Sequence, residues 1–236
     1  MVSIQQPEHL PWLGFFDKIQ QADTTVLLDN VQFKKRYFEN RNKIRTKEGW
    51  HWLTVPVTTK ERYTQLINQV EIDNTSHWRK KCWMTIRFNY DKAPFFDKYS
   101  SFLERIYNKQ WTYLADLNEA IIKHIIHQLG IQVKIIRASA LGVTGRATDL
   151  LLEICQKLNA DTYLSGISGK EYLDESKFTE QGIKVTYQEF HHPIYKQVYE
   201  PFIPGMSVID LLFNHGDKSL DIIKGIGVEK LDKIFE

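Results

Sequence analysis

Polar side chains that could take part in binding or catalysis lie in the segment at residues 5–16, QQPEHLPWLGFF. The apolar runs on either side predict a strand before this segment and a helix after it. A helix N-terminus has unpaired N–H groups that favour phosphate or carboxylate. His9 could transfer a proton there, with Gln6 and Trp12 as substrate-binding residues. A turn that packs the sheet edge, with His9 merely exposed, would also explain the segment.

A second group of polar residues follows the predicted strand at residues 24–33. Asp29 is placed to act as a catalytic carboxylate. The run Asn40, Arg41 and Asn42 is typical of sugar or nucleotide recognition, because an arginine side chain can bind phosphate or carboxylate with two parallel hydrogen bonds.

A glycine-containing segment, SGISGKEYL at residues 165–173, follows another predicted strand. Glycine allows a backbone to approach a ligand closely. The spacing differs from that of a Walker A phosphate loop, and an ordinary turn between a strand and a helix is the alternative. The residues predicted to bind substrate here are Ser165, Gly166, Ser168, Gly169, Lys170 and Tyr172.

The segment HHPIYKQ at residues 191–197 supplies a further substrate-binding set. Its predicted contributors are His192, Tyr195 and Gln197. Adjacent histidines on a strand would point in opposite directions, so they make a poor metal site. His124 and His127 share a helix face but have no evident third ligand, and we therefore expect no metal site.

The elements that must position these residues alternate between strands and helices. Strands are predicted at residues 2–6, 24–33, 50–58, 132–138, 161–165 and 183–190, and helices at 14–22, 147–158 and 207–214. A mainly helical insert is predicted at residues 76–129. This order predicts a single α/β domain, residues 1–236, with an open, mainly parallel sheet and helices on both faces. Ligands of such sheets bind beyond the carboxyl ends of the strands, so the loops at 7–14 and 165–172 should open on the same edge.

Composition and charge limit the possible classes of protein. The chain has 236 residues, 42% hydrophobic and 25% charged, which is ordinary for a globular domain. The two cysteines, Cys82 and Cys155, cannot form the disulfide framework of a small secreted protein, and Cys155 is expected to be buried. No signal peptide or membrane span is expected, so a cytoplasmic location is predicted. The net charge is +2, but basic residues cluster at 34–47 and 79–92, which favours an anionic ligand.

Taken together, these motifs resemble the WbqC-like family of bacterial proteins. The resemblance is carried by QPEHLPWLGFFDKIQQAD, LDNVQFKKR, NRNKI, WLTVPV, the stretch from Trp78 to Phe96, YLSGISGKEYLDE, HHPIYKQ and PFIPGMSVIDLLFNHG. It implies a role in biosynthesis of surface polysaccharide of the O-antigen type, beside enzymes that make and modify nucleotide sugars. The family usually carries an aromatic residue where this chain has His9, which moves the emphasis to Gln6, Asp29 and Arg41.

Two classes of function follow from these expectations. The first is a transferase that modifies a nucleotide-activated amino sugar by N-acylation or aminoacylation, with Asp29 or His9 accepting the proton of the amine. Its variant is nucleotidyl or adenylyl transfer with Mg²⁺, since the loop after the first strand is similar in position to that of the HxGH nucleotidyltransferases. The second class is a non-catalytic binding partner of the polysaccharide machinery. The expected partner is a nucleotide or nucleotide sugar rather than nucleic acid, and an oligomer is compatible with the sequence.

Overall fold

The fold is an α/β arrangement around a central parallel sheet, in a computed structural model that describes residues 1–231. The strands are β1 (Val2–Gln5), β2 (Thr24–Leu27), β3 (Arg41–Thr46), β4 (Gly49–Thr54), β5 (Lys134–Arg137), β6 (Thr162–Ser165) and β7 (Lys184–Tyr187). The helices are α1 (Leu13–Gln20), α2 (Trp78–Tyr90), α3 (Phe96–Asn108), α4 (Leu114–Gln128), α5 (Ala147–Lys157), α6 (Glu175–Glu180), α7 (Val208–His215) and α8 (Ser219–Ile223).

The central sheet has five parallel strands in the order β5-β2-β1-β6-β7. The chain first builds outward from β1 through β2 to β5, and then returns to the other side of β1 with β6 and β7. The strand order therefore reverses between β1 and β6, where open α/β sheets form a crevice for ligands.

Helices cover both faces of this sheet, as the alternating sequence pattern predicts. Successive residues of β2 show the division, because Val26 packs into one core and Leu27 into the other. The smaller core contains Ile154 of α5 and Phe178 of α6. The larger core joins α1, the helices α2 to α4 and α7. Strands buried on both faces read as short apolar runs rather than as alternating ones.

A separate antiparallel hairpin, β3–β4, departs from the sequence prediction. The strand predicted at residues 50–58 is present as Gly49 to Thr54, but it pairs with Arg41 to Thr46, where no strand is predicted, as a two-stranded sheet. Alternating side chains of β3 are buried, including Asn42 and Ile44. The polar run that resembles a recognition loop is thus a strand with one face against the core.

Other boundaries differ less. β2 ends at Leu27 instead of Phe33, so Asp29 lies in the following loop. The helices α2, α3 and α4 lie within the predicted helical segment, and α4 is followed by Gly130 at φ 70°, a conformation that ends helices. Cys155 is buried, as predicted. Within residues 1–231, no helix has the length and apolar character needed to cross a membrane.

Candidate functional site

A cleft of about 400 Å³ lies at the carboxyl ends of β1 and β6, where the strand order reverses. Because β1 and β6 are parallel neighbours, the loops that follow them open on the same edge, which confirms that prediction. The residues with polar side-chain groups that line the cleft are Gln5, Gln6, Glu8, Lys34, Tyr37, Tyr163, Ser168 and Tyr172.

Two loops of the cleft are joined behind its wall by Asn118 of α4. The Asn118 side-chain amide donates to the carbonyl of Pro7 at 3.1 Å and to that of Glu39 at 2.7 Å. The backbone N–H of His9 also donates to the carbonyl of Phe38 at 3.0 Å. These bonds hold Pro7 and His9, the two neighbours of Glu8, close to Phe38 and Glu39.

Glu8 is the cleft residue with the most perturbed ionisation. Removal from water, followed by the nearby charge of Glu39, raises its pKa to about 8. Its Oε2 atom is buried and has no hydrogen-bond partner within the described chain. At neutral pH the carboxyl group of Glu8 is therefore protonated in the absence of ligand, and it can lose this proton when a cationic ligand binds.

Glu39 is fully buried beside Glu8, and neither of its carboxylate oxygens has a hydrogen-bond partner in the part of the chain that the structure describes. Burial raises its pKa, and the backbone N–H groups of Glu39 and Lys34, together with the charge of Lys34, partly offset this effect. A buried carboxylate with incomplete compensation is costly, so a positively charged or proton-donating ligand would relieve the site.

His9 lies in the wall rather than at the opening of the cleft. It is fully buried, with Nδ1 donating to Asn118 Oδ1 at 3.2 Å and Nε2 accepting from the Tyr107 hydroxyl at 3.0 Å. Burial lowers its pKa to about 4, so the ring is neutral. Both ring nitrogens are occupied, which leaves none for proton transfer to a substrate. The alternative interpretation of this segment, a turn with an exposed His9, is wrong.

Asp29 also has its oxygens occupied. It is fully buried, and its carboxylate accepts from the Ser139 backbone N–H at 2.9 Å and the Ser139 hydroxyl at 2.7 Å. These bonds tie the loop after β2 to the short 3-10 helix Ala138–Leu141 after β5. Asp29 therefore has a structural role, because it connects these two segments.

The glycine-containing segment forms a short 3-10 helix, Ile167–Glu171, rather than an open loop. Gly169 is buried, and a Cβ atom there would overlap with the Ser165 hydroxyl, so its close approach is to its own loop. Gly166 faces open space. Ser168 and Tyr172 line the cleft, while the Lys170 ammonium lies 5.1 Å from the ring centre of Tyr187.

Residues of the predicted recognition run lie on the hairpin and do not line the cleft. Asn40 donates to the Val55 carbonyl at 2.9 Å, and Asn42 accepts from the Lys43 N–H at 2.8 Å. The Arg41 guanidinium lies 4.1 Å from the ring centre of Trp52 and contributes to a different pocket.

Trp12 packs elsewhere, edge-on against Phe190 and over Gly14. A Cβ atom on Gly14 would overlap with its indole ring. Glycine at this first turn of α1 therefore makes room for Trp12, while Gln6 alone of the first predicted group lines the cleft.

The last predicted set belongs to a buried network behind the hairpin. Tyr195 and Gln197 both donate to Asp210 Oδ2, at 2.9 and 2.8 Å. His192 is buried, donates from Nδ1 to the Pro193 carbonyl and accepts the Gly205 N–H, and burial lowers its pKa to about 4. None of these three lines the cleft.

Comparison with known proteins decides the family. The profile of the WbqC-like protein family matches residues 6–222. The chain belongs to the WbqC-like protein family. The uncharacterized protein Rv1507c of Mycobacterium tuberculosis is 36% identical over 225 residues, which cover 94% of this chain and 97% of that protein. No solved structure matches the chain.

In this WbqC-like protein, the sequence motifs did not identify Glu8 and Glu39 as candidate site residues. One signal was available, because Glu39 is the only acidic residue in the basic run 34–47. Glu8 stands directly after Pro7, in the loop already suspected of chemistry. Among residues 1–231, no three His, Cys, Asp or Glu side chains gather closely enough to hold a metal ion.

Proposed function

We propose that the protein transfers an acyl or aminoacyl group to the amine of a nucleotide-activated amino sugar, in bacterial surface polysaccharide biosynthesis. The observation that carries this proposal is Glu8, which lines the cleft where the strand order reverses and has the buried carboxyl group of Glu39 close behind it. The biosynthetic context comes from the family resemblance.

A carboxylate pair is suited to an amine. Two nearby carboxylates repel one another, so one binds a proton or both share a cation. A sugar ammonium placed between them would supply the charge and the hydrogen-bond donors that the oxygens of Glu39 lack. A neutral hydroxyl at the same position would supply no charge.

The same pair can activate the amine. An ammonium has no lone pair for attack, so it must first lose a proton. Glu8 is the base, because a pKa of about 8 lies near the working pH. The amine nitrogen then bonds to the acyl carbon, the bond from that carbon to its leaving group breaks, and the second amine proton passes to solvent or the leaving group. Burial is the main cause of the high pKa of Glu8, and Glu39 acts as a positioning residue by adding to it with its nearby charge.

The remaining polar residues of the cleft bind the rest of the substrate. Lys34 is the cation at the wall and is suited to a phosphate oxygen. Gln6, Ser168 and Tyr172 supply uncharged hydrogen-bonding groups for sugar hydroxyls. Asp29 and His9, whose polar atoms are occupied, support the loops.

Calorimetry with matched ligands tests this proposal. UDP-linked 4-amino and 3-amino sugars should bind at least tenfold more tightly than the same sugars with hydroxyl groups. Below pH 8, binding the ammonium displaces the Glu8 proton, so titrations in buffers of different ionisation enthalpy should detect about one proton released. Glu8→Gln should abolish the release, whereas Glu48→Gln, at an exposed position, should preserve it. Equal binding of amino and hydroxyl sugars would reject the proposal.

A second candidate is nucleotidyl transfer, which the reversal of strand order between β1 and β6 favours. In that case Glu8 and Glu39 would hold Mg²⁺ against the phosphates, since this ion binds carboxylate oxygens. The same titrations distinguish the two. Binding that requires Mg²⁺ and ignores the amine would support nucleotidyl transfer, and tight binding without turnover of any donor would support a binding module.

A further inference from the structure

A second pocket, of about 390 Å³, lies between the β3–β4 hairpin and α2. We call it the hairpin pocket. Its walls are formed by Arg41, His51, Trp52, Trp78, Lys81 and Cys82, with Leu53, Thr54 and Thr85. It is separate from the cleft, with which it shares no lining residue.

The charge of the hairpin pocket is uncompensated. Arg41 and Lys81 line it, no aspartate or glutamate does, and none of the ion pairs formed by residues 1–231 includes either cation. Cations that face a cavity without a carboxylate partner favour an anionic ligand.

Arg41 is held in place for such a ligand. Its guanidinium packs over the Trp52 ring at 4.1 Å from the ring centre, and its Nη2 donates to the Arg36 carbonyl. The Nε atom is buried without a hydrogen-bond partner in the described part of the chain. A guanidinium fixed in this way loses less conformational freedom when it binds phosphate.

Much of the remaining wall of the hairpin pocket is apolar, and its cysteine is a poor nucleophile. Trp78 is buried at its base, with its indole N–H bonded to Asn74 at 3.3 Å. The Cys82 thiol approaches the Thr54 carbonyl at 3.7 Å, and burial raises its pKa to about 12. The thiol is therefore protonated and poorly suited to nucleophilic attack.

Two cations beside apolar side chains suit an anion that carries a substantial organic body. The volume is in the range of small-molecule sites. We propose that the hairpin pocket is a nucleotide-binding site, in which Arg41 and Lys81 hold the phosphates and the apolar wall of Trp52, Leu53 and Trp78 contacts the nucleoside. Extended binding of nucleic acid is disfavoured because Trp50 and Trp52 meet edge-on, at 81°, and offer no continuous stacking surface.

The hairpin pocket lies near the cleft without depending on it. Tyr37 lines the cleft, and its ring centre lies 5.2 Å from that of Phe38. The ring centre of Phe38 lies in turn 6.0 Å from that of Trp52, which lines the hairpin pocket. This row of aromatic rings separates the two sites. Nucleotide binding at Arg41 would hold even if Glu8 had no catalytic task.

Titration of the full chain with UDP, ADP and inorganic pyrophosphate tests the assignment. Arg41→Gln and Lys81→Gln should each weaken binding of at least one nucleotide about tenfold or more, as expected for loss of a charge-assisted contact. Lys80→Gln is the matched control, because it removes the same charge from the neighbouring, exposed position of α2 outside the pocket. It should leave the affinity within twofold.

Three results would overturn the proposal. An equal loss in Lys80→Gln would indicate a diffuse basic surface, and equal affinity for pyrophosphate would remove the nucleoside contact. A loss confined to Lys34→Gln would place the nucleotide in the cleft. Because Glu8→Gln leaves the hairpin pocket intact, loss of amine recognition in that variant with nucleotide binding unchanged would separate the two proposals.

Discussion

The side-chain amide of Asn118 lies 2.7 Å from the carbonyl oxygen of Glu39, in a contact that joins α4 to the wall of the cleft. The same side chain bonds to Pro7 and to His9, the two neighbours of Glu8. One buried amide thus bonds to the Pro7 backbone and the His9 side chain, on either side of Glu8, and to the backbone of Glu39 itself. The separation in sequence is 79 residues for Glu39 and 109 for His9.

Replacing Asn118 should therefore affect both stability and ionisation. Asn118→Ala leaves two carbonyls and His9 Nδ1 without their partner, so the free energy of unfolding should fall by about 2–4 kcal/mol. In the folded fraction, proton release on binding an amino sugar should move to lower pH, because Glu8 separates from Glu39. Urea unfolding and calorimetry measure the two effects.

Asn108→Ala is the control for this substitution. Asn108 is exposed at the end of α3, so its loss should change the free energy of unfolding by less than about 0.5 kcal/mol. If Asn118→Ala lowered stability but left the pH of proton release unchanged, Asn118 would be structural only.

Glu8→Gln should stabilise the protein in alkaline solution. The folded-state pKa of about 8 is above the ordinary value of 4.5, so the folded state binds more protons between these values and wild-type stability falls as pH rises through that window. The neutral amide avoids this cost. After discounting for partial exposure, we expect a gain of about 2 kcal/mol at pH 8.5.

Thermal unfolding at two pH values checks this prediction. The gain should be close to zero at pH 4, where the carboxyl of Glu8 is protonated in both states. Glu48→Gln should show no gain at either pH. If the buried carboxyl group of Glu8 is retained for function, Glu8→Gln should be more stable but less active than the wild type.

His9 and His192 should make the protein sensitive to acid. Burial lowers both pKa values to about 4 from 6.5, so the unfolded state binds more protons between these values and stability falls as pH drops through that window. His9→Phe should cost about 2–3 kcal/mol at pH 7, since it leaves Tyr107 and Asn118 short of a partner. It should also weaken the loss of stability between pH 6.5 and 4.5.

Urea unfolding at these pH values tests the role of His9. His51→Phe, at an exposed position, should change neither the stability nor its pH dependence appreciably. A stable His9→Phe variant that loses only turnover would contradict the structural assignment and restore His9 as a catalytic residue.

Local sequence patterns predict the parallel strands and their helices well, because short segments with β-branched or aromatic residues, such as β1 and β6, alternate with helices that have one apolar face. They predict the carboxyl edge of the sheet as the site for the same reason. The hairpin was missed because Arg41, Lys43 and Arg45 obscure the alternation of β3, whose buried residues include Arg45. The buried guanidinium of Arg45 donates hydrogen bonds to the carbonyls of Gly49 and Pro201.

The candidate site was less predictable than the fold. Burial and then the charge of Glu39 raise the pKa of Glu8, and Asn118 of the distant helix α4 joins the two loops that carry these residues. Such non-local contacts leave no periodic trace in the sequence. Residues with evident chemical types, such as His9 and Asp29, are instead bonded within the protein.

The two glycines after β6 offer a matched pair of substitutions. A Cβ atom on Gly166 meets nothing within 4 Å, so Gly166→Ala should change the free energy of unfolding by less than about 0.5 kcal/mol. A Cβ atom on Gly169 overlaps with the Ser165 hydroxyl and lies 3.0 Å from the Leu173 side chain. Gly169→Ala should therefore cost about 1–3 kcal/mol.

The partner of that clash can be removed to test its cause. Ser165→Ala deletes the hydroxyl that a Cβ on Gly169 meets first, so the double variant Ser165→Ala/Gly169→Ala should recover about half of the lost stability, measured by urea unfolding. Nucleotide affinity should stay normal in the folded Gly169→Ala protein, since Gly169 approaches Ser165 and no ligand. Loss of affinity without loss of stability would instead place a phosphate against the backbone at Gly169.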